Sequence, residues 1–253
     1  MSTWVLLRGL TRESRHWGAF PALLGSAVNA GRVVTLDLPG NGRLNAQPSP
    51  TSVAAMAEAC RAALRLEGAP PPYHLLTMSL GAMVALAWAD AHPDELCGCV
   101  LINTSLRGLS PWYQRLKPRN HVRLLGLALS KDPAFSERVV LALTTRHPAA
   151  PTEALLAQWA AWRRENPVSR ANTWRQLWAA ARFRAPPQPP RVPLLVLAGA
   201  ADTLVDPRCS LRLAQAWNIP ARTHPSAGHD LPLDDPAWVA HEVARWVADR
   251  LAV

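Results

Sequence analysis

His74-Leu75-Leu76-Thr77-Met78-Ser79-Leu80-Gly81-Ala82-Met83-Val84-Ala85-Leu86-Ala87-Trp88-Ala89 is the stretch that decides the fold. It opens as an apolar run of strand length, turns at Ser79 and continues without a breaker as helix. A serine on so short a strand-to-helix turn is held in a strained backbone conformation that points its hydroxyl away from the sheet. Strand and helix approach closely there, so small residues are needed two positions before and two after. Gly81 meets that need; Thr77, at the other position, is only moderately small. The new helix aims its N-terminus at the same place and favours negative charge developing there. Taken alone, the stretch also fits a serine that merely caps the helix.

The same rhythm of short apolar run and amphipathic stretch extends outward in both directions. It predicts strands at Trp4–Leu7, Val33–Leu36, His74–Met78, Val100–Asn103 and Leu194–Ala198, with a weaker sixth near Arg222–His224. Helices are expected at Val53–Glu67, capped by Thr51 or Ser52, and at Leu80–Ala91, Arg208–Trp217 and Pro236–Leu251. Alternation of this kind predicts an α/β fold: a mostly parallel, open sheet of about six strands with helices on both faces.

Two further strand ends carry polar groups. The run Leu194-Leu195-Val196-Leu197-Ala198 ends in Gly199-Ala200-Ala201-Asp202, which puts Asp202 at the C-terminal edge of the sheet, where the sites of such sheets collect. Asp206 lies just beyond, but it precedes Pro207 and reads better as the start of a helix. Ser226-Ala227-Gly228-His229-Asp230 follows the last strand and precedes the last helix. The order serine, aspartate, histidine, each at a strand end, is that of a nucleophile, the acid that orients a base, and the base. No carboxylate follows Val100–Asn103; Asn103-Thr104-Ser105 cannot serve as the acid.

Residues 106–190 break the rhythm. They show helical patterns but no convincing strand, and end in Pro186-Pro187-Gln188-Pro189-Pro190. The chain therefore divides into a first core part at 1–105, a helical insertion at 106–190 and a second core part at 191–253. Trp159 with Trp162, and Trp174 with Trp178, sit at helical spacing and are expected to pack inward. The formal net charge is +9, and between Arg107 and Arg184 there are 14 basic and 4 acidic residues. The remainder is nearly neutral. Such a segment either spreads arginine over solvated faces or attracts an acidic partner or anionic substrate.

From Trp4 to the last helix the chain resembles the α/β-hydrolase superfamily, with the insertion in the place of its cap. Asp37-Leu38-Pro39-Gly40-Asn41-Gly42-Arg43 resembles the superfamily's D-x-P-G-x-G-x turn, its glycines supplying positive φ. The superfamily's usual leading hairpin is expected to be absent, because the first strand starts at residue 4. Leu7-Arg8-Gly9-Leu10 stands where a His-Gly loop is usual. The resemblance implies an oxyanion hole made by the backbone N–H groups of Leu10 and Leu80, so that Arg8 in place of histidine need not destroy it. Trp17 is expected beneath that loop and His16 to be structural.

The resemblance implies a serine hydrolase that cleaves a carboxylic ester or thioester, with Ser79 as nucleophile, His229 as general base and Asp202 orienting it. Similarity extends distantly to the carboxylesterases that include pimeloyl-carrier-protein methyl ester esterase, through the short N-terminus and the glycine-rich turn. The substrate is expected to be a small molecule, with an anionic or carrier-bound acyl group in view of the basic segment. An acyltransferase, or a carbon–carbon hydrolase or lyase, uses the same triad. A binding protein on this fold should have lost one of the three residues. A serine nucleophile argues against dehalogenase or epoxide hydrolase chemistry.

The bulk properties exclude other classes. No apolar run is long enough to span a membrane, and Arg8 interrupts the N-terminal apolar stretch, so no signal peptide is expected and a cytoplasmic protein is the default. Cys60, Cys97, Cys99 and Cys209 form no CxxC pair and read as reduced thiols. No cluster of histidine and cysteine has metal-ligand spacing, so neither metal nor cofactor is expected. No aromatic-and-basic motif of a nucleic-acid reader is visible.

Overall fold

Strict alternation of side chains decides how the sheet is covered. In the computed structural model, which describes residues 2–146 and 152–251, six strands form one sheet in the order β2-β1-β3-β4-β5-β6. They are β1 (Thr3–Leu7), β2 (Arg32–Leu36), β3 (Tyr73–Met78), β4 (Leu96–Ile102), β5 (Leu194–Gly199) and β6 (Ala221–His224). Every neighbouring pair is parallel, with Leu6 beside Leu76, Thr77 beside Leu101 and Val196 beside Ala221.

Val5, Leu7, Leu75, Cys99, Leu101 and Val196 point to one face, against α2 (Val53–Leu66), α3 (Leu80–Ala91) and α9 (Arg208–Trp217). Trp4, Leu6, Leu76, Val100, Ile102, Leu195 and Leu197 point to the other, against α1 (Phe20–Ala27) and α11 (Pro236–Leu251). Residues from both classes are fully buried, as a parallel sheet covered on both faces requires. Helix α3 is apolar all round, and every residue from Leu80 to Ala89 is buried. A cavity left by Leu76→Ala in this sheet would cost about 2–5 kcal/mol.

Between β4 and β5 run α4 (Trp112–Arg115), α5 (His121–Leu129), α6 (Pro133–Thr144), α7 (Thr152–Glu165) and α8 (Arg170–Arg182). Among the described residues this stretch holds no strand. An isolated bridge between Arg107 and Arg184 closes its base. A short helix α10 (Leu231–Asp234) precedes α11. No helix among the described residues is long and apolar enough to cross a membrane.

Ser52 is the N-cap of α2, as expected, although its side chain makes no capping bond. One expectation needs correction. The tryptophans do not all pack. Trp159 is buried, whereas Trp174 and Trp178 are 65% and 54% exposed. The side of α8 that docks on the core carries Asn172, Gln176 and Ala179 instead.

Candidate active site

The three strand ends singled out by the sequence meet at one edge of the sheet. Ser79 has φ 55°, ψ −115° and is the N-cap of α3. This left-handed backbone is costly for a residue with a Cβ, and the surroundings impose it. Its N–H donates to Ile102 O at 2.9 Å, and its carbonyl accepts from Thr104 Oγ1 at 3.2 Å. A Cβ on Gly81 would lie 2.6 Å from Leu7 O and 2.7 Å from Arg8 O, so only glycine fits there. Thr77 is tolerated because its hydroxyl is fully satisfied, donating to Val100 O at 3.1 Å. Gly9 brings the β1 loop against the serine: a Cβ there would sit 3.1 Å from Ser79 Cβ.

His229 Nδ1 lies 2.6 Å from Asp202 Oδ2, and both side chains are buried. The other oxygen of Asp202 accepts from the N–H groups of Leu204 and Val205 at 2.8 and 3.0 Å. The carboxylate is thus held from behind, and the pairing leaves His229 Nε2 as the free ring nitrogen. Asp206 is occupied elsewhere, accepting from Arg208 N at 3.0 Å and pairing with the Arg208 guanidinium. That hydrogen-bonded arginine, which outweighs partial burial, holds its carboxyl below the usual range. Among the described residues Ser79 Oγ makes no hydrogen bond, so the link from Ser79 to His229 is not closed in this conformation.

The backbone N–H groups of Leu10 and Leu80 donate to no protein acceptor among the described residues, while Gly9 and Ser79 are in contact. Thr11, also left-handed at φ 56°, turns the chain after Leu10. Its N–H donates to Gln176 Oε1 at 2.9 Å, and Gln176 Nε2 donates to Asn41 and Ser49. The fully buried amide of α8 therefore fixes the loop beside Leu10.

Asn103, Arg8 and Asp230, to none of which the sequence gave a catalytic role, organise this edge. Asn103, with φ 47° and almost no exposure, donates from Nδ2 to Gly228 O and His229 O at 3.0 and 2.8 Å. Its Oδ1 accepts from Gly199 N at 2.9 Å. One side chain thereby ties the end of β5 to the histidine loop. Arg8 is buried and paired with Asp230, with Nη1–Oδ1 at 3.0 Å and Nη2–Oδ2 at 2.5 Å. Its guanidinium also lies over Trp17, 4.8 Å from the ring centre. Arg8 thus joins the Leu10 loop to the residue after His229. The signal available in the sequence was only that Asn103 and Arg8 are polar residues at strand ends.

The glycine-rich turn behaves as expected. Asp37 accepts from Ser14 N and Arg43 N, and a Cβ on Gly42 would strike its carboxylate. Nearby, Glu137 of α6 is buried between Arg12 and Arg163, both at 2.5 Å. Burial works to raise its pKa, but the two arginines outweigh it and hold it lowered. His16, packed edge-on to Trp159 and Trp162, is kept neutral by burial and by Arg12 and Arg8. An apolar cleft of about 290 Å³ opens between Trp17, Phe20, Trp159, Trp162 and Leu233. Ser79, Asp202 and His229 do not line it. Among the described residues no group of three or more metal-ligating side chains is assembled.

A family model described as the alpha/beta hydrolase family matches residues 4–242. Among solved structures, an esterase from Thermogutta terrifontis is 19% identical with TM-score 0.74, the match covering 98% of this chain and 90% of that one. A hydrolase from Pseudomonas aeruginosa PA01 is 21% identical with TM-score 0.77, covering 97% and 89%. The esterase RhEst1 from Rhodococcus sp. ECU1013 is 22% identical with TM-score 0.71, covering 98% and 90%. No curated protein matches the chain in sequence.

Proposed function

The chain belongs to the alpha/beta hydrolase family, and from that premise we propose that it is a serine hydrolase cleaving a carboxylic ester or thioester. The observation that carries this reading is the buried 2.6 Å pair of His229 and Asp202 beside a serine held at positive φ. Esterases among its structural neighbours support ester chemistry.

In this reading Ser79 Oγ attacks the substrate carbonyl carbon while His229 Nε2 takes its proton. Asp202 fixes the ring by its bond to Nδ1 and stabilises the imidazolium that forms. The carbonyl oxygen gains negative charge and is met by the N–H groups of Leu10 and Leu80, where one such donor is typically worth about 3 kcal/mol. The proton passes from His229 to the leaving alkoxide or thiolate, and the acyl group stays on Ser79. Water, deprotonated by the same nitrogen, then releases the acid. The helices between β4 and β5 act as the cap, and their arginines favour an anionic acyl group or carrier.

The test is labelling with a fluorophosphonate probe, followed by hydrolysis of an ester-length series. The wild-type protein should be labelled at Ser79, and Ser79→Ala should lose the label and at least about 10³ in kcat, because the triad acts as a unit. Labelling that persists in Ser79→Ala would overturn the assignment.

A further inference from the structure

Helix α8 is inside out. Its core-facing side carries two amides, Asn172 and Gln176, each buried and hydrogen-bonded. Its solvent side carries two indoles one turn apart, Trp174 and Trp178. The buried amides are accounted for by their hydrogen bonds, but nothing in the fold is gained by leaving both indoles in water, since indoles gain most from burial. The pattern extends across the surface. Arg115 of α4 donates to the carbonyls of Ala180 and Ala181 at the end of α8, so the two helices are neighbours. On α4, Trp112 is 67% and Tyr113 50% exposed.

The charge on these elements is of one sign. Residues 106–131 and 166–190 together hold ten basic and no acidic side chains. The acidic residues of the insertion, Asp132, Glu137, Glu153 and Glu165, lie at or on α6 and α7. Among the described residues no carboxylate pairs with the exposed Arg107, Arg175, Arg182 or Arg184. Arg182 lies instead over the Trp178 ring, 5.1 Å from its centre.

We propose that the α4–α8 face binds the surface of an anionic lipid bilayer. Exposed tryptophan and tyrosine suit the boundary between headgroup and hydrocarbon, being apolar in body and polar at one edge. Unpaired arginines beside them suit anionic headgroups, whose surface potential attracts basic residues. The association is peripheral: short helices lie on the bilayer and none spans it. Charge complementarity favours a lipid surface over a second copy of the chain, since two such faces would repel. The exposed rings favour it over duplex DNA, whose backbone needs only the cations; single-stranded nucleic acid stacks on such rings, and its binding as tightly as the vesicles would overturn the proposal. The proposal does not depend on the catalytic reading.

The test is flotation of the full chain with vesicles of neutral phosphatidylcholine, and of phosphatidylcholine containing phosphatidylglycerol. Binding is expected to the anionic vesicles and to fall steeply as salt rises. Trp174→Ser with Trp178→Ser should weaken that partition by about tenfold or more, by removing the apolar contribution. Arg175→Gln with Arg182→Gln should weaken it independently. Circular dichroism melts of each variant confirm that it is folded; should the tryptophan pair fail to fold, the arginine pair decides the matter. Failure to float with anionic vesicles would overturn the proposal, as would partition unchanged in both pairs. It would also fail if the tryptophan pair abolished a concentration-dependent dimer instead, or if duplex DNA bound as tightly as the vesicles.

Discussion

Breaking the Arg8–Asp230 pair should damage the fold and the site together. Both side chains are 3% exposed or less and form two bonds, at 3.0 and 2.5 Å. Truncating one partner leaves the other charge buried and unpaired, which costs about 3–5 kcal/mol. Arg8→Ala also loses the stack on Trp17. At about 2–4 °C per kcal/mol for a domain of this size, the melting temperature should fall by roughly 6–20 °C. Replacing both partners by apolar residues removes the unpaired charge along with the pair. Arg8→Met with Asp230→Leu should therefore cost much less than the sum of Arg8→Met and Asp230→Leu alone. Urea unfolding of the four proteins measures this coupling. The pair also joins the Leu10 loop to the histidine loop, so each single variant should lower kcat more than it raises KM. Additive single effects, or a loss below about 1 kcal/mol for Arg8→Met, would refute the view that the pair is a buried clasp.

The remaining predictions concern the rest of this edge. Asp202→Asn should keep the fold and lose most activity, with Asp206→Asn mild; kinetics showing the reverse would give the acid's role to Asp206. Asn103→Ala leaves two carbonyls and an N–H without partners, so it should destabilise the protein by about 3–9 kcal/mol in denaturant titrations, at about 1–3 kcal/mol for each group stranded in the interior. Burial, aided by Arg250, holds His74 down at about 4 from its usual 6.5. The unfolded chain then takes up a proton that the fold refuses, so stability is lost as pH falls from 6.5 towards 4 and is unaffected above. His74→Phe, which keeps a ring against Trp4, should flatten that slope in melts across pH. Finally, kcat/KM for an acidic ester should drop between 0.1 and 1 M salt, as the Debye length falls from ~10 to ~3 Å, while a neutral ester of equal length holds steady. Equal slopes for the two esters would leave the basic charge without a role in substrate choice.

The sheet was legible because its strands are buried on both faces and read as uninterrupted apolar runs. Each predicted strand overlaps an observed one, with the largest error at β4, whose start at Leu96 is hidden by Gly98 and two cysteines. The positions of Ser79 and Asp202 were legible because each follows an apolar run, which is a local property; His229 follows a short polar strand and was legible through its preceding glycine and its place in the order serine, aspartate, histidine. Arg8 with Asp230 and Gln176 with Thr11 were not, since each pair is separated by well over a hundred residues and neither residue signals its partner. Spacing told that Trp174 and Trp178 share a face of α8 but not which way that face points. Hydrophobicity gave the wrong side, because amide hydrogen bonds to Asn41, Ser49 and Thr11 outweighed indole burial in orienting the helix.

The order of the strands also bears on how the molecule is made. Strands β1, β2 and β3 come from the first 78 residues and pair with one another, so they can assemble while most of the chain is still to be synthesised. The strand that presents Asp202 begins only at residue 194, and His229 follows one strand later. Besides Asp202, the groups that fix the histidine and its neighbour Asp230, from Asn103, Arg8 and Thr144, are made at least eighty residues earlier. On the proposed reading, a nascent chain that has reached β3 carries Ser79 without its base, and the site is assembled only once residues 202–229 have been made.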